Sequence, residues 1–284
     1  MNPQIYFDEN YKIEVWRDEN FQISRSDDLP SIIKYDRLDK EKVQEWYKNG
    51  VLHRDNDLPA SIEINSFGNK TKKWYQHGTL NKIFIYHDCY NYEEKISEQW
   101  FKNGELHRDE DLPAMTTYRG RQINEEGWYQ NGKLHRENNP ARITYKGEQK
   151  VLEEWYQHGK LHRAVHLPAF IEYDDKKIKN EKWYTRGELT KDISRSVIAG
   201  EDKEYITESW YKDGEYHRDG NLPAVVLSNG DTKVYEAWYK NGKLHRDVGP
   251  ATCNYMNGEL KCEMWFRNGV IYNGGFTPIS PCTP

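Results

Sequence analysis

The sequence predicts an all-β fold, an elongated array of about ten β-hairpin repeats of roughly 28 residues, built as a twisted sheet or a β-solenoid. Three observations predict it. All ten tryptophans keep one register, at Trp16, Trp46, Trp74, Trp100, Trp128, Trp155, Trp183, Trp210, Trp238 and Trp265, spaced 26 to 30 residues apart. In nine copies an aromatic residue follows the Trp and a Gly stands four residues after it. Six copies then carry His-Arg followed by Pro-Ala. A fixed period of this kind marks units that bury their apolar faces only against their neighbours.

The first element of each repeat is a tight hairpin. Asn49-Gly50, Asn103-Gly104, Asn131-Gly132, Asn241-Gly242 and Asn268-Gly269, with Asp213-Gly214, stand between short aromatic and apolar runs. A type I′ turn needs positive φ at both central residues, which Asn-Gly and Asp-Gly supply. That turn fixes register: Lys48 opposes Val51, Tyr47 opposes Leu52, and Trp46 opposes His53. The same offset pairs Trp100 with His107, Trp128 with His135, Trp155 with His162, Trp210 with His217, and Trp238 with His245. One face is therefore expected to carry Trp and His, the other Tyr and Leu flanked by Arg. Such cross-strand pairs contribute roughly 0.2–1 kcal/mol each.

The second element is an alternating strand opened by Leu-Pro-Ala. Pro59 and Pro113 suit a first strand position, where a missing N–H breaks no ladder. Ala60, Ile62 and Ile64 then share a face, as do Ala141, Ile143 and Tyr145, and Ala169, Ile171 and Tyr173. No segment carries a long 3.6-residue period, and the unit is too short for a propeller blade. The repeats are read as one array over residues 1–284, with an extended, Pro-spaced tail at 275–284. Strands set side by side at about 4.8 Å give a length on the order of 100 Å. The copies at Trp74 and Trp183 replace His-Arg by Asn81-Lys82 and Thr190-Lys191, and are read as joints or docking points.

Composition agrees with thin, aromatic packing. The 284 residues include 10 Trp and 21 Tyr, 36% are hydrophobic, and 41 basic residues against 46 acidic give a net charge of −5. No run of 18 apolar residues is present to cross a membrane as a helix. The first eight residues lack the pattern of a signal peptide. Four cysteines without CxxC spacing are expected to be reduced thiols in a cytoplasmic compartment. A slightly acidic total argues against generic nucleic-acid binding.

His-Arg is the most chemical of the motifs. One reading makes Arg54, Arg108, Arg136, Arg163, Arg218 and Arg246 a row of partner or phosphate contacts. The preferred reading is architectural: each His packs on its Trp and bonds the following loop, and each Arg finds a nearby acid, since buried polar groups acquire partners. Acids directly follow the Arg at Asp55, Asp109, Glu137, Asp219 and Asp247. No copy offers three or four convergent metal ligands, so neither a metal nor another cofactor is expected. No nucleophile motif or phosphate loop occurs, so no catalytic residue is assigned. Aperiodic residues cluster at Asn81–Glu94 and Lys191–Glu204; in the first, Phe84, Tyr86, Tyr90 and Tyr92 form a candidate contact patch.

Trp46-Tyr47-Lys48-Asn49-Gly50-Val51-Leu52-His53-Arg54 through Pro59-Ala60, recurring over about residues 10–275, resembles MORN-type repeats. It is more closely similar to the W-Y-x-N-G-x-L-H-R-x-x-x-x-P-A repeats of large DNA viruses of protists, with phage and bacterial relatives. The resemblance implies a virus-encoded β-hairpin array, as a virion component or host-directed adaptor in the host cytoplasm. A related bacterial group implies a second precedent, the toxin-neutralising antitoxin.

Together these features lead to a non-enzymatic protein–protein scaffold or structural component, since Tyr, Trp and Arg dominate interface hot spots. Binding of anionic lipid or nucleic acid through the Arg row ranks second. End-to-end self-association through an edge strand is a further expectation.

Overall fold

The computed structural model describes residues 2–89, 92–164, 166–197 and 203–271. Among them there is no helix; the fold is all-β and antiparallel. Among the described residues twenty-two strands enter the main sheet in hairpin order. Five short hairpins form two-stranded sheets of their own. The chain divides into two compact units, Met1–Arg136 with Ala141–Gln149, and Glu137–Pro140 with Lys150–Pro284.

In the first unit the repeat after Trp46 shows the construction. The strand Glu41–Glu45 ends at the tryptophan, whose N–H donates to the Ala60 carbonyl at 2.8 Å. The chain then leaves the sheet as a small hairpin, Tyr47–Lys48 against Val51–Leu52, in the register the turn dictates. Asn49 and Gly50 have φ of 52° and 75°, the pair of left-handed residues that a type I′ turn requires. His53 returns its N–H to the Trp46 carbonyl at 3.0 Å, so Trp and His do lie opposite. The next sheet strand is Ser61–Ile64, so Pro59 and Ala60 precede it rather than open it. Neighbouring hairpins are linked through the turn: Gly78 N–H donates to Leu52 O and Gly132 N–H to Leu106 O, both at 2.9 Å.

The second unit repeats the plan. Tyr156–Gln157 pairs with Lys160–Leu161 and Tyr239–Lys240 with Lys243–Leu244. Gly187 donates to Leu161 O at 2.8 Å and Gly269 to Leu244 O at 2.9 Å.

The core is thin. The alanines after the prolines, Ala60, Ala114 and Ala141 in one unit and Ala169, Ala224 and Ala251 in the other, are fully buried. Trp46, Trp128, Trp155 and Trp238 are buried above them, and Ile171 with half-buried Tyr173 completes the cluster around Trp155. A small residue is needed because the tryptophan strand and the returning strand meet at this point. Stability therefore comes from one indole per repeat plus polar contacts between repeats.

In the variant copies the hairpin does not bud off. Lys70–Gln76 pairs with Thr79–Cys89, and Lys177–Thr185 with Glu188–Val197, as long continuous ribbons. Without a Pro-Ala loop the chain has no reason to leave the sheet. Cys253 is a free, buried thiol, whereas Cys262 is disulfide-bonded, which departs from the expectation of four reduced cysteines.

Candidate interaction surface

The signature residues form a relay in which each repeat holds the next. Every arginine of the row lies flat over its own tryptophan, with guanidinium carbons 3.9, 4.0 and 3.9 Å from the ring centroids for Arg54, Arg108 and Arg136. In the second unit the distances are 3.8, 3.5 and 3.7 Å for Arg163, Arg218 and Arg246. Delocalised charge on an indole face is favourable, and more so when partly desolvated. Burial lowers the pKa of Arg163 and Arg218 from the usual value. The arginine thus takes the position over the indole that the sequence assigned to the histidine.

Five of these arginines also clamp their own loops. Nη1 donates to the proline carbonyl five residues on at Pro59, Pro113, Pro168 and Pro223, at 3.3, 3.2, 3.0 and 3.2 Å. Arg246 does the same to Pro250 at 3.1 Å. The acid partner, where there is one, comes from the preceding repeat. Arg54 makes a two-pronged contact with Asp28 and Arg136 with Asp111, all at 2.7–2.8 Å. These hydrogen bonds hold both aspartates below the usual carboxylate range.

Four of the acids directly after the arginines serve the histidines instead. Nε2 of His53, His107, His217 and His245 lies 2.9–3.0 Å from Asp55, Asp109, Asp219 and Asp247. The other ring nitrogen, Nδ1, accepts a backbone N–H from the turn of the following repeat. His77 donates to His53, Asn131 to His107, Arg186 to His162, Asn241 to His217 and Asn268 to His245, at 3.1–3.3 Å. That bond fixes the tautomer with its proton on Nε2, facing the carboxylate. His135 is buried.

The glutamate two before the tryptophan accepts a tyrosine hydroxyl from the next strand. Tyr118 donates to Glu98 at 3.0 Å and Tyr145 to Glu126 at 2.7 Å; Tyr173 donates to Glu153 at 2.6 Å and Tyr255 to Glu236 at 2.7 Å. Burial, reinforced by these carboxylates, raises the hydroxyl pKa of Tyr118, Tyr173 and Tyr255.

Of the aromatic patch, Phe84 is wedged between two signature rings, 4.7 Å from Trp74 and edge-on to Trp100 at 5.9 Å. Tyr86 is half-buried under Lys72, 4.6 Å away. Tyr90 and residues 275–284 lie outside the described residues, as does the side chain of Tyr92. Beside the patch, Ile62 and Ile64, paired across the strands with Lys72 and Lys70, line with Glu93 a groove of about 260 Å³.

The residue that sequence reasoning passed over is the leucine before the proline, in Leu-Pro-Ala and in Leu29-Pro30-Ser31. Leu29, Leu58 and Leu112 in the first unit are 44%, 37% and 42% exposed; Leu167 and Leu222 in the second are 38% and 48%. The available signal was a leucine at a fixed offset with no periodic apolar neighbour. Within the Asp-x-Asp-Leu loops, the paired left-handed residues Asn56-Asp57 and Glu110-Asp111 set a tight turn. No group of three or more metal-binding side chains converges among the described residues, and no helix is long and apolar enough to cross a membrane. No protein-family model matches the chain, and no curated protein matches it.

Proposed function

We propose that the chain is a non-enzymatic protein-interaction scaffold or structural component, whose partner surface is the set of loops between His-Arg and Pro-Ala. One observation carries this reading. Each of these five leucines precedes a proline whose carbonyl is clamped by the arginine of the same repeat: Arg25 on Pro30, Arg54 on Pro59, Arg108 on Pro113, Arg163 on Pro168 and Arg218 on Pro223. An apolar side chain on a loop already fixed in place loses little entropy on binding. Recurrence at the same position in five of the repeats turns single exposed leucines into a series.

The similarity to repeats of large DNA viruses of protists supports a virus-encoded protein, a virion component or cytoplasmic adaptor acting on host proteins. A toxin-neutralising binder would use the same surface.

The test is affinity capture from the native source at about 50 and about 300 mM salt, where exposed charge pairs are differently screened. A near-stoichiometric protein kept at high salt and lost from the double variant L58D/L112D supports the scaffold. Recovery of only salt-sensitive nucleic acid or acidic lipid, retained by that variant, overturns it.

A further inference from the structure

The repeats act as controls for one another: two arginines of the row, Arg54 and Arg136, meet a carboxylate fork, and Arg246 keeps the same surroundings without one. In the first unit Arg54 meets both carboxylate oxygens of Asp28 at 2.8 Å, and Arg136 both oxygens of Asp111 at 2.7 and 2.8 Å. In the second unit the residue at that position is Asn221, and Arg246 has a single contact to it, Nε to Oδ1 at 3.3 Å. A carboxylate offers two acceptors to a guanidinium fork, whereas an amide offers one acceptor and one donor group. Nη2 of Arg246, which meets the second oxygen in the other two repeats, therefore finds none on Asn221.

Everything else about the position is kept. Arg246 lies 3.7 Å over Trp238, and its Nη1 donates to Pro250 O at 3.1 Å. The Trp238 indole N–H donates to Asn221 O at 3.0 Å, as Trp128 does to Asp111 O at 2.9 Å. The guanidinium is thus oriented for a carboxylate that its own chain does not supply. It lines a cleft of about 130 Å³ with Arg218 and Lys240. Arg218 follows the repeat at Trp183, which has no Pro-Ala loop and so no counterpart of Asp28. Asp219 and Asp247 also line the cleft but accept from His217 and His245, and Asp247 lies 3.8 Å from Lys240 Nζ; the lining thus holds three cations against two carboxylates.

We propose that Arg246, with Arg218 and Lys240 beside it, binds a carboxylate side chain of an acidic peptide segment, which takes the place that Asp28 and Asp111 fill at Arg54 and Arg136. The proposal deepens the scaffold reading by giving the partner an acidic contact.

The test follows the Nε–Hε resonances of the full chain by NMR during titration with an acetylated hexaglutamate peptide, and separately with inorganic phosphate. The peptide is expected to shift Arg246. N221D, which restores the intrachain carboxylate, should weaken that binding by about tenfold or more and raise Tm, while N257D, a charge control on a distant turn, should not. D111N should make Arg136 responsive to the peptide. Absence of any shift at Arg246, equal affinity in N221D, equal weakening by N257D, an unresponsive Arg136 in D111N, or preference for phosphate over the peptide would each overturn the site. Because the titration reads Arg246 directly, its failure would leave the leucine-loop capture result standing.

Discussion

Lys82 occupies in its repeat the place that Arg54 holds in the one before: its Nζ is 4.9 Å from the Trp74 ring centroid and 2.7 and 2.8 Å from the two carboxylate oxygens of Asp57. Both residues stand eight positions after their tryptophan. Lys191 repeats the substitution, 5.0 Å from Trp183 and 4.9 Å from Trp210. The variant repeats have thus kept the cation over the indole while losing the loop. K82R should leave stability within about 0.5 kcal/mol, whereas K82A should cost about 1–2 kcal/mol through the lost cation–π contact and stem packing. Chemical unfolding of the two variants compares them directly. Equal stability would mean that the cation is incidental.

This relationship marks the limit of what the sequence made legible. The hairpin register could be read because an Asn-Gly turn is local: Tyr47 opposite Leu52 and Lys48 opposite Val51 follow from two residues' dihedral angles. The partner of Arg54 could not, since the nearest acid along the chain, Asp55, goes to His53 and the true partner is Asp28, 26 residues earlier. Proximity in sequence gives the wrong acid when each repeat bonds its predecessor. Likewise Lys82 looked like a lost motif only because identity, rather than charge at a fixed offset, was compared.

The histidine relay predicts acid sensitivity. Hydrogen bonds from Lys48, then His53, hold Asp55 below the ordinary carboxylate range; Lys102, then His107, act so on Asp109, and His217 and His245 lead for Asp219 and Asp247. A carboxylate lowered in the folded state contributes stability that is complete above its unfolded pKa, about 3.9, and is lost as pH falls through the folded value. Melting temperature should therefore decline below about pH 4. D109N should make that decline shallower; an unchanged profile would remove Asp109 from the linkage.

Removing a histidine should cost more than its exposed aspartate does. H107A deprives the Asn131 N–H of its acceptor at 3.2 Å, a loss of about 1 kcal/mol when the donor is partly screened from water. Amide hydrogen exchange at Asn131 reads the same bond locally. Faster exchange at Asn131 in H107A, with distant repeats unchanged, is the expected result, and unaltered exchange would show the turn to be held by its neighbours alone.

Alkaline pH should act through the tyrosines. Burial first, and then Glu45, pushes the Tyr47 hydroxyl up to about 12, and Tyr118, Tyr173 and Tyr255 shift in the same direction. A group raised in the folded state contributes stability that is full below its unfolded pKa, about 10, and is lost as pH climbs through the folded value. Tyrosinate absorbance should accordingly lag behind that of an unfolded chain and then rise together with loss of β-sheet circular dichroism. Y173F, which leaves the buried Glu153 without its 2.6 Å donor, should cost about 1–2 kcal/mol.

The loop length before each tryptophan decides whether its indole N–H is satisfied, and this can be measured. Full-length loops put a carbonyl on it: Asp28 on Trp46, Asp57 on Trp74 and Asp111 on Trp128, each at 2.9 Å. The loop before Trp155, Glu137-Asn138-Asn139-Pro140, is one residue shorter, and the Trp155 Nε1 is buried with no partner; Trp100, which follows the loopless repeat, is in the same state. Replacing Trp by Phe removes a similar amount of ring at either position, so the packing terms largely cancel between two such variants. W128F additionally breaks a made hydrogen bond, whereas W155F deletes a buried donor that is already unsatisfied. W128F should therefore be the more destabilising by about 1 kcal/mol. Should W155F prove equally costly, the Trp155 N–H must be satisfied in solution, and loop length would no longer explain the pattern.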